Sequence, residues 1–169
     1  HVFVMSQPNR QTLQTEVRNE VINGKANACP MIIRLAWHAA GTFDKADGSG
    51  GTNGAGMRFE PESTDDANAG LGIVRDMLLP VKRKHPELSY SDLWVAAGSM
   101  AVKMVGGPDV PYNFGRTDFA DGSKCPANGR LPDAAQGAQH LRDVFGRMAV
   151  CRRREGGDYR EAHRDINQL

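Results

Sequence analysis

The sequence predicts an all-α fold with long irregular loops and little strand. Three observations carry this. Apolar residues recur at i, i+3, i+4 spacing in five separate stretches. Most of these stretches have a capping residue, a proline or a glycine at a plausible end. No stretch alternates apolar and polar residues for long enough to make a convincing strand.

Gln11 to Ala26 carries Leu13, Val17, Val21 and Ile22 on one stripe, which reads as an amphipathic helix. Pro30 suits the first turn of the next helix, because its missing N–H would be unpaired there anyway. That second helix runs through an apolar stretch from Cys29 to Ala40 and ends near Gly41. Ile32, Ile33, Leu35, Ala36 and Ala39 cover much of its circumference, so it is expected to be largely buried. Thr42 to Thr64 is rich in Gly, Asp and Ser and reads as a long loop, a type that is usually functional or disordered. Asp65 and Asp66 are placed to cap a helix beginning about Ala67, with Leu71, Val74, Leu78 and Val81 as its core stripe. Pro80 is expected to kink or end that helix, and Lys82-Arg83-Lys84 to complement its C-terminus.

Ser89-Tyr90-Ser91-Asp92 resembles a capping box ahead of Leu93, Trp94, Ala97, Met100, Ala101 and Met104. Gly106-Gly107-Pro108 closes that helix. Trp94 and the methionines are read as core packing. A second irregular stretch, with room for short strands, runs from Asp109 to Pro132. Asp133, with Gln136 three residues on, is placed to cap a helix whose apolar side is Leu141, Val144, Phe145 and Met148. Residues 1–148 therefore read as one helical domain, and residues 149–169, with Cys151-Arg152-Arg153-Arg154 and almost no apolar periodicity, as a poorly packed tail.

Composition narrows the function. A net charge of +1 gives no bulk attraction to nucleic acid or an acidic membrane. No apolar run is long enough to span a bilayer. Three cysteines, widely spaced and odd in number, argue against a disulfide framework or a cysteine zinc site and favour a reducing compartment. The glycines from Gly48 to Gly56 lack the strand and the Lys-Ser/Thr ending of a phosphate-binding loop. The chain starts at His1, not methionine, and is read as a fragment or a processed product.

The chemistry concentrates on the second helix. Arg34, Trp37 and His38 stand at i, i+3 and i+4 and share one face. Such groups often only satisfy polar neighbours, yet here a cation, a flat ring and an imidazole converge. An imidazole in a pocket takes a proton from one atom of a substrate and returns it to another. A nearby arginine stabilises negative charge as it develops. This set suits heterolysis of a peroxide O–O bond. It suits hydrolysis poorly, since no serine or cysteine nucleophile stands at a suitable spacing.

The segment Arg34-Leu35-Ala36-Trp37-His38-Ala39-Ala40-Gly41-Thr42 closely resembles the distal helix of class I haem peroxidases: the ascorbate peroxidases, cytochrome c peroxidases and catalase-peroxidases. Ala67-Asn68-Ala69-Gly70-Leu71 resembles their asparagine-bearing segment. Leu88 to Trp94, Gly106-Gly107-Pro108, Gly129 to Ala134 and His140 to Phe145 follow in collinear order. The nearest likeness is to ascorbate peroxidases and to ascorbate/cytochrome c hybrids, with Asp121 to Cys125 leaning towards the hybrids.

The resemblance implies the distal half of a haem-peroxidase fold, binding haem b and reducing hydrogen peroxide in oxidative-stress defence. Ascorbate, cytochrome c or both would be the electron donor, and the cytoplasm or an organelle (mitochondrion or plastid) the compartment. His38 would be the acid–base catalyst, Arg34 would polarise the O–O bond, and Trp37 would lie over the haem plane. Asn68 would accept the His38 ring N–H, and Pro132 would approach the haem edge. Glu62 resembles a position that supports the asparagine, with a solvated loop carboxylate as the other reading.

The sequence also departs from the family. No glycine- and alanine-flanked proximal histidine follows Met148, and His163, among Arg160, Glu161, Arg164 and Asp165, has the wrong context for an iron ligand. Asn27 stands where the family has an ascorbate-binding lysine, with Lys25 nearby. The chain is thus expected to be inactive alone, and the alternative reading is a non-catalytic peroxidase-like helical domain with a structural or partner-binding role.

Overall fold

The computed structural model describes residues 7–25 and 27–150. The described residues form five α-helices: α1 (Arg10–Val17), α2 (Ala28–Ala40), α3 (Leu71–Lys84), α4 (Tyr90–Met104) and α5 (Ala138–Arg147). No sheet forms among them, and the stretch expected to hold short strands contains a 3₁₀ turn at Gly122–Lys124 and a single bridge residue, Asp118. The fold class is all-α, as the periodicity required. None of these helices is long and apolar enough to cross a membrane.

The chain packs as two compact units, one of residues up to Trp37 with Gly70–Asp118, the other of His38–Ala69 with the residues from Phe119 on. In the first unit, α1 continues as a π turn over Arg18–Ile22. The physical reason is the spacing of its stripe. Leu13, Val17 and Val21 recur at strict intervals of four, which drift around a 3.6-residue helix. A wider turn brings Val21 back onto the buried line, and all three are essentially inaccessible.

Helix α3 buries the four residues of its predicted stripe, Leu71, Val74, Leu78 and Val81. Its start and its proline differ from expectation. Asp65 caps a single 3₁₀ turn at Asp66–Asn68, and α3 begins only at Leu71, because Gly70 adopts φ +81° between them. Pro80 lies inside α3, which continues to Lys84. The Lys82 ammonium donates to the carbonyls of Pro86 and Leu88, beyond the helix end, and Lys84 pairs with Glu20.

Helix α4 is closed at its start by two side chains. Ser89 accepts from the Asp92 amide at 3.0 Å, as the capping box predicts. Asp118 accepts from the Tyr90 and Ser91 amides at 2.8 and 3.0 Å. Asp92 does not reach back to Ser89; it turns to the loop and accepts from the Gly115 and Arg116 amides and the Arg116 guanidinium. The core side of α4 carries Leu93, Trp94, Ala97, Met100 and Ala101.

Gly98 on α4 sets the approach of α2. A Cβ built there would stand 2.5 Å from the Ala36 Cβ. Helix propensity alone favours alanine over glycine by about 1 kcal/mol. Overpacking of about 1–3 kcal/mol outweighs that gain. Gly98→Ala is therefore expected to lower the urea unfolding midpoint, and a raised midpoint would show that the two helices can separate freely.

The second unit holds the end of α2, the long loop and α5. The glycine-rich stretch is irregular, as read, and is followed by 3₁₀ turns at Gly56–Arg58 and Glu62–Thr64. Asp133 caps only a turn, accepting from the Ala135 amide, and α5 starts at Ala138 after an extended Gly137. On α5, Val144 is buried, as is Met148 just past its end, whereas Leu141 is exposed. The predicted tail falls almost wholly on residues 151–169, which lie outside the described residues.

Candidate active site

His38 lies in the last turn of α2. Its Nδ1 is 2.9 Å from the Oδ1 of Asn68. Asn68 is buried, and its Nδ2 donates to the Glu62 carbonyl at 2.9 Å. This second bond fixes the amide, since a backbone carbonyl can only accept. Oδ1 must then face His38, and the shared proton belongs to His38 Nδ1. The neutral ring carries its lone pair on Nε2, the nitrogen fit to take a proton. Asn68 can reach this position because it ends the 3₁₀ turn that Asp65 caps through the Ala67 amide at 2.9 Å.

Arg34 and Trp37 stand on the same helix at the spacing read from the sequence. Neither they nor His38 are buried; all three are half-buried, on a helix expected to be largely buried. The core side of α2 is formed by Ile32, Leu35 and Ala39.

Glu62 is not a solvated loop carboxylate: it is 6% exposed. Burial pushes its carboxyl up to about 7, against a hydrogen bond from the Cys125 thiol and the field of Arg130, both of which favour the charged form. Cys125 is in turn pushed up to about 11, by burial first and by the Glu62 carboxylate second. Sequence reasoning gave Cys125 no role, and nothing in one sequence would have paired residues so far apart.

The raised carboxyl has a consequence for stability. A folded-state value of about 7 against 4.5 means that the fold holds the proton more tightly than the unfolded chain. This contribution is complete below about pH 4.5 and is lost as pH rises through about 7. Glu62→Gln removes it, so the variant should gain on the order of 2 kcal/mol over wild type between those limits. Urea titrations at both pH values check this; a constant difference would place the charge elsewhere.

Pro132, half-buried, follows the buried Leu131. The segment is held against the chain just past α2 by Arg130, which donates to the Thr42 carbonyl and the Ser49 hydroxyl, both at 2.9 Å. Arg147 donates to the carbonyls of Gly41, Thr42, Phe43 and Arg130. Two guanidiniums thus satisfy the carbonyls that follow α2 and fix the end that carries His38.

No group of three or more His, Cys, Asp or Glu among the described residues is arranged to hold a metal ion. His85 is set between Glu16 and Glu87, and His140 Nε2 accepts from the Asp133 amide. His163 lies outside the described residues.

A peroxidase family model matches residues 10–152. A protein of Pyricularia oryzae named as a heme-binding peroxidase is 57% identical over 122 residues, 72% of this chain and 41% of its own length. The mitochondrial cytochrome c peroxidases of Aspergillus fumigatus and Emericella nidulans are each 55% identical over 119 residues, 70% of this chain and 32% and 33% of their own. The chain therefore spans less than half the length of these relatives. The matched region holds the whole His38, Asn68 and Glu62 arrangement, and the chain belongs to the peroxidase family.

Proposed function

We propose that this chain supplies the peroxide-cleaving side of a haem-dependent peroxidase that reduces hydrogen peroxide to water. The observation that carries this reading is the bond from His38 Nδ1 to Asn68, which leaves Nε2 as the proton acceptor. The residues fit haem: a half-buried indole, a guanidinium and a tautomer-fixed imidazole lie within five residues of one helix. Arg34 and Trp37, with Pro132 at the edge, would hold the group. Haem b, when bound, supplies the two electrons that peroxide takes up.

His38 Nε2 accepts the proton of one peroxide oxygen and delivers it to the other, which leaves as water. The Arg34 cation stabilises the negative charge that grows on the departing oxygen. Asn68 keeps the imidazole from rotating or exchanging tautomer during this transfer. The donor we propose is cytochrome c and the compartment the mitochondrion, in keeping with the names of two close relatives. Asn27, in place of the family's lysine, supports cytochrome c over ascorbate. Removal of peroxide under oxidative stress is the role that follows.

The test grafts residues 10–148 into the matching region of the Aspergillus fumigatus cytochrome c peroxidase and measures peroxide-dependent oxidation of reduced cytochrome c and of ascorbate. Turnover above that of unbound haem is expected with cytochrome c, and its absence in a haem-loaded chimaera would refute the reading. In the same chimaera, Asn68→Ala should slow the reaction with peroxide by about 10–100-fold. An unchanged rate would remove the asparagine from the mechanism.

A further inference from the structure

The His38 and Asn68 pair does not end at the Glu62 carbonyl. Glu62 forms a single 3₁₀ turn with Ser63 and Thr64, and so short an element has little rigidity of its own. Backbone bonds hold the turn, from the Ser63 amide to the Phe59 carbonyl and from the Asp65 amide to the Glu62 carbonyl itself, and the Glu62 side chain is placed to add a second anchor. The side chain runs inward to Gly56 and Cys125. A Cβ built on Gly56 would meet the Cys125 Sγ at 3.0 Å and the Glu62 Oε1 closer still, so only glycine leaves room for the two groups together. The thiol donates to the Gly56 carbonyl at 3.4 Å, and its sulfur and the Glu62 Oε1 crowd the same point above Gly56.

We propose that Cys125 is a positioning residue for His38: its thiol anchors the buried Glu62 side chain over Gly56, which holds the Glu62 carbonyl where it fixes the Asn68 amide and thereby the imidazole tautomer. A thiol has one proton, and two acceptors stand beside it, the Gly56 carbonyl that takes it at 3.4 Å and the Glu62 carboxyl group packed against the same glycine. With Glu62 ionised, the charged acceptor takes the proton and the anchor is strong. With Glu62 protonated, the two acceptors are nearly matched and the anchor slackens. The remaining charged groups facing this cluster are Arg130 and Asp65 at Glu62, and Arg58 and Asp121 at Cys125. Cys125 is thus a relay of hydrogen-bond geometry and not a nucleophile, since the raised thiol stays protonated at neutral pH.

This inference rests on His38 as the proton carrier, but its test needs no turnover. The full chain, labelled with ¹³C and ¹⁵N, is titrated while NMR follows the Glu62 carboxyl carbon and the two ring nitrogens of His38. In wild type, the His38 nitrogens should show an inflection at the Glu62 midpoint in addition to their own. Cys125→Ala should raise that midpoint by about half a pH unit or more, the size of one neutral hydrogen bond, and carry the His38 inflection with it. Cys125→Ser, whose hydroxyl is a stronger donor than the thiol, should bring both below their wild-type position. If Cys125→Ala does not fold, the serine variant against wild type decides alone, with a lowered midpoint supporting the relay and an unmoved one overturning it. The proposal is also overturned if the Glu62 midpoint ignores Cys125, or if it shifts while the His38 nitrogens do not respond. Failure of the chimaera to turn over, with these shifts intact, would instead count against the catalytic reading.

Discussion

Replacing His38 by leucine in the chimaera is expected to slow its reaction with hydrogen peroxide by about 10²–10⁴-fold, the usual worth of a positioned acid–base group. Leucine fills a similar volume and cannot carry a proton. His38 is half-buried and bonds through Nδ1 to Asn68, so the substitution leaves an unmatched Oδ1 but no large cavity. The haem content of the chimaera should therefore change little while the rate collapses. Stopped-flow mixing with peroxide, with haem content measured on the same sample, separates the two effects. A loss of less than about tenfold would take the proton transfer away from His38.

The largest stability effect is expected at Asp92. This carboxylate is 1% exposed and accepts from the Gly115 amide at 2.7 Å, the Arg116 amide at 3.2 Å and the Arg116 guanidinium at 3.1 Å. Asp92→Ala strips two amides of their acceptor and removes the carboxylate partner of the half-buried Arg116 guanidinium, which keeps the Asn113 carbonyl. Breaking such a pair from one side costs about 3–5 kcal/mol. Asp92→Asn keeps an acceptor for the amides but not the charge, and should lose roughly half as much. Urea unfolding of the three proteins checks the order; equal midpoints would mean that water replaces the carboxylate without cost.

These two residues illustrate how legible the chain was. His38 was found from sequence because helix periodicity places Arg34, Trp37 and His38 on one face whatever surrounds them, and the resemblance then supplied Asn68. Asp92 was read correctly as part of a helix start but assigned the wrong partner. A capping box needs the reach of a glutamate, and the shorter aspartate turns to the loop that follows α4. Helix boundaries failed at Ala67 and Asp133 for a related reason. Each aspartate satisfies a local turn first, and Gly70 or Gly137 then delays the helix by a few residues.

By itself the sequence determined the helical class, the buried stripes of α1, α3 and α4, and the order of Arg34, Trp37 and His38 along one helix. All of these are local: they follow from side-chain spacing over one or two turns, which no later contact can rearrange. The tertiary structure alone decided that Glu62 is buried, that Gly56 makes room for it, that Cys125 bonds the Gly56 carbonyl beside it, and that Arg130 and Arg147 close the end of α2. Those partners lie far apart along the chain, and their chemistry depends on burial and on a single shared proton. A linear pattern has no term for either, because desolvation and hydrogen-bond competition exist only once the chain has brought the groups together.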